Sequence, residues 1–447
     1  MILKRKVYQE LLDWKNKRRG SSALLLNGAR RVGKSFICDV FGKNEYRSMI
    51  MIDFSNMPAI VRDIFTYDTS DFDIFFAKLS AYYDTRLYTR ESLFVFDEVQ
   101  LFPLARQLLK HLVSDGRYDF IETGSLISIK QNVKDILIPS EEEEIEMHPM
   151  DFEEFLWALG NDTTVPFLRQ CFEQLQPLGH AVHRKIMNDF RQYMLVGGMP
   201  QAVLAYVKGK DFEVADKEKR NIIKLYRNDI TKYAAGYKGK VTAIFDALPS
   251  QLSNKEKKYK LSSVIKDARM RDYDNAFMWL ADGMIANPCF NATDPNFGLA
   301  LSFDHSTHKL YMADTGLLVT HAFGNKKYID NSLYKAILLD KLNINEGMLM
   351  ENIVSQMLRC NGHKLFFYSR TDSKSRAASM EIDFLVGIGG KISPVEVKSS
   401  AYRAHSSLDK FKSKYSYALG DAYILYTKDV SIIDSIIHLP IYMTMFL

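Results

Sequence analysis

Ala23-Leu-Leu-Leu-Asn-Gly-Ala-Arg-Arg-Val-Gly-Lys-Ser-Phe-Ile-Cys-Asp-Val-Phe41 is the stretch whose reading decides the fold. Ala23 to Leu26 is an apolar run without alternation, bounded by turn residues, and predicts a strand buried on both faces. Gly28-x-x-x-x-Gly33-Lys34-Ser35 follows, and then Phe36, Ile37, Val40 and Phe41 recur at helical spacing. Strand, glycine loop and helix stand in the order that a phosphate-binding loop requires. From Gly28 through Ala29, Arg30, Arg31 and Val32 to Gly33, the backbone would turn its N–H groups toward a phosphate tail. The positive end of the following helix adds to that cradle, of which Phe36 is the last residue. Lys34 would reach the β and γ phosphates, and the Ser35 hydroxyl would ligate Mg²⁺.

Moving outward, Met49 to Phe54, Leu93 to Phe96 and Asp119 to Thr123 read as further buried strands. Helical patterns at Phe72 to Leu87 and Ala105 to Ser114 separate them. Strands alternating with helices imply a parallel sheet covered on both faces, with ligands at the strand C-terminal ends. Asp97 and Glu98 directly follow one of these strands. An Asp there can hold Mg²⁺, and a Glu beside it can orient or deprotonate an attacking water. Thr123, ending the next strand, suits either a bond to the γ-phosphate or water, or a plain strand cap.

The chain has 447 residues, which points to about three domains. Its 47% hydrophobic and 25% charged residues are those of a globular protein, and a net charge of +5 neither demands nor forbids nucleic acid. Cys38, Cys171, Cys289 and Cys360 lack metal-like spacing and fit free thiols in a reducing compartment. The basic start, Met1 to Arg19, has apolar residues at helical spacing and suits a helix on a membrane surface or, in preference, a packed leading helix. No apolar run reaches membrane-spanning length, so a cytoplasmic setting without membrane contact is expected.

Beyond Ile129, the acidic run Glu141 to Glu144 with Glu146 predicts a solvated strand or loop. Asp151 to Tyr237 is mainly helical, broken by Gly197-Gly198-Met199-Pro200, an interhelical turn or a hinge that senses nucleotide. Three helical patterns, Val241–Leu252, Leu261–Arg269 and Tyr273–Ala281, then precede extended segments in the order of a winged helix. The third opens with Arg271-Asp272-Tyr273-Asp274-Asn275. Two carboxylates there would repel phosphates, which favours a structural or protein-contact role over base reading. Asn325 to Ser332 reads as a polar connector.

Glu346 to Cys360 predicts a helix with Glu351 beside or within its apolar stripe, where a carboxylate needs partners. Met380 to Val386 alternates, with Glu381 and Asp383 opposite Ile382, Phe384 and Val386. After a glycine-rich turn, Ser393-Pro-Val-Glu-Val-Lys398 places Glu396 and Lys398 together on one face. As a hairpin, the two strands would gather Asp383, Glu396 and Lys398 on one surface within reach of Glu351. Such carboxylates can hold Mg²⁺, and the lysine can help activate water.

Several pieces of the chain together resemble the AAA+ ATPases. These are Asn27 to Ser35, Phe94-Val-Phe-Asp-Glu-Val-Gln100, Glu122-Thr-Gly-Ser125, Met150-Asp-Phe-Glu-Glu-Phe155, Gly197-Gly-Met-Pro200, Tyr311-Met-Ala-Asp-Thr-Gly316 and Glu381-Ile-Asp-Phe384. More narrowly, they are similar to a bacterial and archaeal family whose C-terminal domain of unknown function has a nuclease-like fold. The last segment resembles the PD-(D/E)XK nucleases, with Ile382 in place of the proline of that name.

The resemblance implies an α/β chain in four parts: a P-loop ATPase core over 1–150, a helical lid over 151–237, a winged-helix-like segment over 238–325 and a restriction-endonuclease-like domain over 326–447. It implies ATP and Mg²⁺ as cofactors, with Lys34, Ser35, Asp97, Glu98 and Thr123 in the roles above. In the C-terminal site it implies Asp383, Glu396 and Lys398 as catalytic residues and Glu351, Asp383 and Glu396 as metal ligands. No arginine finger can be matched; Arg30, Arg31, Arg117, Arg184, Arg191 and Arg227 stay open. The expected partners are ATP and ADP, nucleic acid at the C-terminal domain, and a second copy of the chain. Two functions compete: an ATPase coupled to Mg²⁺-dependent nucleic-acid cleavage, and an ATP-driven switch whose C-terminal domain only binds a partner.

Overall fold

A computed structural model describes residues 2–124, 142–234, 236–254, 258–264, 268–296, 298–324, 331, 334, 346–370, 379–399 and 405–447. Two compact units emerge, one of Lys4–His148 and one of Pro149–Leu447 together with the first three residues.

The first unit is built on a parallel sheet of β1 (Ala23–Gly28), β2 (Ser48–Asp53), β3 (Ser92–Asp97), β4 (Asp119–Gly124) and β5 (Glu142–Met147), in the order β2-β3-β4-β1-β5. One face buries Phe94, Phe96 and Phe120 against Phe65 of α3 (Ala59–Tyr67), Phe75 and Phe76 of α4 (Phe72–Tyr82) and Leu109 of α5 (Pro103–Asp115). Asp71 starts α4 by accepting from the N–H groups of Asp73 and Ile74, and Gly116, at φ 76°, ends α5. Toward the opposite face, α1 (Val7–Arg18) buries Val7, Leu11 and Trp14, and α2 (Lys34–Glu45) buries Ile37 and Phe41.

The acidic run, whose first residue Glu141 lies outside the described residues, is an edge strand, with Glu144 and Glu146 exposed as expected and Glu142 and Glu143 half-buried. Its place beside β1 gives the carboxylates partners: Glu144 accepts from Asn27 at 2.9 Å, Glu143 from Ser22 at 2.7 Å, and Glu142 from Arg106 at 2.7 and 2.8 Å.

The second unit carries a mixed eight-stranded sheet in the order β12-β13-β11-β10-β9-β8-β6-β7. Its strands are β6 (Ala286–Ala292), β7 (Phe303–Met312), β8 (Leu365–Arg370), β9 (Met380–Ile388), β10 (Lys391–Val397), β11 (Tyr423–Tyr426), β12 (Ser431–Ile433) and β13 (Ile436–Pro440). The winged-helix expectation holds only for helices at Lys238–Ser253 and Asp274–Asp282. Among the described residues of the predicted middle helix there is one short turn, Leu261–Ser263. The two extended segments that follow pair as an antiparallel hairpin, and β6 joins β8 in parallel. A boundary at 325 would therefore cut one sheet in two. The helices expected as a separate lid belong to this same unit. Of the predicted connector, 325–330 and 332 lie outside the described residues.

Two of the sequence motifs lock each other. The Gly198 carbonyl accepts from Met150 N–H at 2.7 Å, and its own N–H donates to buried Asp314 at 2.5 Å. Asp314 also caps the helix Thr315–Ala322 through Leu317 N–H at 2.8 Å. A Cβ on Gly198 would stand 2.1 Å from the Met150 carbonyl oxygen, and one on Gly316 2.5 Å from that of Val196. Gly-Gly-Met-Pro is thus a tight crossing of backbones. Gly198→Ala should destabilise the protein by about 1–3 kcal/mol through overpacking. Urea denaturation measures this, and an unchanged midpoint would show that the crossing has slack.

Candidate functional site

The glycine loop joins the buried end of β1 to the start of α2. Ala29 and Val32 are buried, Arg30 and Arg31 exposed, and Gly33 and Arg31 adopt left-handed backbone with φ of 98° and 73°. Gly28 answers a second demand besides phosphate access, since a Cβ there would meet the Met147 carbonyl oxygen at 2.5 Å. Lys34 is buried and donates to the carbonyls of Gly28 at 2.8 Å and Ala29 at 3.2 Å. Burial pulls its ammonium below the usual lysine range, against the opposing charges of Glu98 and Asp97.

Because β4 lies between β1 and β3, the ends of α2, β3 and β4 come together. Asp97 Oδ1 accepts from Ser35 Oγ at 2.8 Å and, more closely, from Thr123 Oγ1. Thr123 Oγ1 in turn accepts from Glu98 N–H at 3.3 Å. Glu98 sits in left-handed backbone at φ 54°, and its carboxylate accepts from the side chain of Gln100. Ser35, Asp97, Glu98, Thr123 and Lys34 are therefore brought together. Phe36 is not packed as its helical spacing predicted; it is half exposed, because Ile37, Cys38 and Phe41 take the inner face of α2.

Sequence reasoning missed Arg5, whose guanidinium donates to the Val32 carbonyl at 2.9 Å and the His148 carbonyl at 2.7 Å. Nothing local marks it, since its partners lie 27 and 143 residues away. Of the open arginines, Arg117 is paired with Asp115 at 2.7 Å and Asp73 at 2.6 Å, and Arg227 with Asp246 at 2.7 Å.

Next to Thr123, Glu122 is fully buried and faces Arg106 at 3.8 Å, while Arg106 clasps Glu142. Burial, with Glu142 close by, pushes the Glu122 carboxyl well above its ordinary range despite Arg106. The folded state keeps a proton that the unfolded chain gives up. The stability this contributes is fully present below the ordinary carboxyl range and is lost as pH rises past it. Between about pH 5 and about pH 8, wild type should lose stability relative to Glu122→Gln, whose amide does not titrate. Parallel pH profiles in urea denaturation would show instead that Glu122 stays ionised.

In the second unit, Glu351 on the helix Glu346–Cys360, Glu381 and Asp383 on β9, and Glu396 and Lys398 at the end of β10 follow their predicted elements. What sequence reasoning missed is Lys309 on β7. Its ammonium lies 3.5 Å from Glu381, 3.7 Å from Glu351 and 3.8 Å from Asp383, with only 5% of the residue exposed. Tyr311 donates to Glu351 at 3.0 Å, Val397 N–H to Asp383 at 2.9 Å, and Lys398 pairs with Glu396 at 2.8 Å. Burial alone would pull the Lys309 ammonium down, but Glu351, Asp383 and Glu381 together hold it well above the usual range. Burial raises the Glu351 and Glu396 carboxyls. Among the described residues, no three acidic, histidine or cysteine side chains are grouped to hold a metal ion. The four cysteines are free, and none of the described helices is long and apolar enough to cross a membrane.

No curated protein matches the chain. Solved structures similar to it include the Walker-type ATPase PABY2304 of Pyrococcus abyssi, 15% identical with a TM-score of 0.42, covering 72% of this chain and 96% of that one. Another is the Orc1 protein of Aeropyrum pernix in complex with DNA, 11% identical with a TM-score of 0.29, covering 73% and 93%. Residues 187–328 and 346–442 match two domains of unknown function, DUF8612 and DUF4143. Residues 20–156 match the family model of an AAA domain, so the parallel sheet and its glycine loop form a P-loop unit of AAA type.

Proposed function

We propose that the first unit binds ATP with Mg²⁺ and hydrolyses it, and that the cycle switches partner binding by the second unit. The observation that carries this is Asp97 Oδ1 accepting from both Ser35 and Thr123 at the mouth of the glycine loop. Ser35 and Asp97 would hold Mg²⁺, which supplies positive charge against the phosphates. Lys34 would exchange its two loop carbonyls for phosphate oxygens, a stronger charge-assisted contact. Glu98, steadied by Gln100, would orient or deprotonate the attacking water. Thr123 links these groups and would pass a change at the γ-phosphate to Asp97 and the Glu98 backbone. Arg30 and Arg31 lie on the exposed side of the loop, where a phosphate tail would pass.

For the second unit the choice lies between cutting nucleic acid and binding a partner. Each carboxylate of the expected metal set already has a partner within the chain: Glu351 with Tyr311, Asp383 with the Val397 N–H and Glu396 with Lys398. The ammonium of Lys309 also lies within 3.8 Å of two of them, Glu351 and Asp383, and a fixed cation there supports binding over cutting.

Lys34→Ala should weaken ATP affinity by about 10- to 100-fold, the loss of charged hydrogen bonds worth about 1.5–3 kcal/mol. Calorimetric titration in magnesium buffer measures it, and wild type without saturable affinity would end the proposal. Glu98→Gln should keep affinity and lose turnover by about 10²- to 10⁴-fold. Undiminished phosphate release would assign the water to another residue. In plasmid nicking with Mg²⁺ or Mn²⁺, wild type and Asp383→Ala should both stay at background. Nicking that Asp383→Ala abolishes would restore the nuclease reading.

A further inference from the structure

We propose that Lys309 is a built-in cation that takes the place of a divalent metal among the acidic residues of the second unit. The inference deepens the partner-binding reading above and rests on it. A metal site needs carboxylate oxygens free to converge on one point. Here an ammonium lies among the carboxylates instead, 3.5–3.8 Å from Glu351, Glu381 and Asp383.

The placement is a built one. Lys309 enters from the edge strand β7, and its ammonium lies 5.3 Å from the ring centre of Phe367 on β8. From there it reaches acids on β9 and on a helix 42 residues further along the chain. Burying an ammonium is unfavourable unless its charge is answered, and three carboxylates answer it. The same lysine relieves the repulsion that Glu351, Glu381 and Asp383 would otherwise exert on one another. A cavity of about 50 Å³ borders Lys309, Tyr311, Glu351 and Glu381, with room for water. Removing the ammonium would enlarge it and take away the charge that lies between Glu351 and Asp383. A divalent cation would then supply the positive charge that Lys309 now supplies to the acids.

The test is Mn²⁺ binding by the full chain without nucleotide, followed by electron paramagnetic resonance, which requires no catalytic activity. Wild type and Asp383→Asn should bind Mn²⁺ alike. Lys309→Met should gain a site at least about tenfold tighter than any in wild type, and Lys309→Met with Asp383→Asn should lose it again. Lys309→Arg, which keeps the cation, should behave as wild type. Where Lys309→Met is destabilised by the loss of its charge, Mn²⁺ should raise its melting temperature and leave that of wild type unmoved.

An Asp383-dependent Mn²⁺ site in wild type overturns the proposal, because the lysine would then yield to metal. So does Lys309→Met that neither binds Mn²⁺ nor is stabilised by it. A wild-type site of this kind without nicking would overturn the role of Lys309 and leave the partner-binding reading standing. Nicking would remove that reading as well.

Discussion

One carboxylate oxygen organises the first unit. Asp97 Oδ1 receives hydroxyls from two separate elements, Ser35 at the start of α2 and Thr123 at the end of β4. A carboxylate as little exposed as this one needs such donors. Their arrival depends on the order of the sheet, because β4 must lie between the strand that leads into the glycine loop and the strand that carries Asp97. The apolar cluster of Phe94, Phe96 and Phe120 keeps those strands in register, with Phe96 opposite Glu122. Packing on one face of the sheet is thus what lets polar groups meet at its end.

A different economy governs the second unit. There the organising contacts centre on buried polar groups: Asp314 accepts from two stretches of backbone, and Lys309 serves three acids. Buried charges of this kind add little net stability over an apolar core, yet losing one partner is severe. They tie the arrangement to one register. Gly198 and Gly316 show the same strictness in backbone terms, since each sits where no side chain fits without movement.

Much of this was legible in the residues themselves. The apolar runs of β1, β2 and β3 announced strands, and the glycine loop announced the turn between β1 and α2. The elements that carry Glu351, Asp383, Glu396 and Lys398 were legible from local patterns, because helix and strand periodicities are short-range. What escaped notice was long-range. Lys309 lies 42 residues before Glu351 and 74 before Asp383, and Arg106 lies 36 before Glu142, with no periodicity to connect them. The strands β6 and β7 were read as part of a winged helix because order along the chain does not tell which sheet an extended segment will join. Phe36 was misplaced for a simpler reason: an apolar stripe admits more than one rotation of the helix, and Ile37 and Phe41 claimed the interior.

The hairpin of β6 and β7 makes the eight-stranded sheet discontinuous in sequence, and this governs how the chain can be dissected. A fragment beginning at the polar connector would lack two strands, opening β8 as an unpaired edge, the kind of surface through which sheets stick to one another. It would also strand the acids of β9 without their ammonium. Any study of the C-terminal part in isolation must therefore carry the hairpin with it, or else measure the chemistry of a wound.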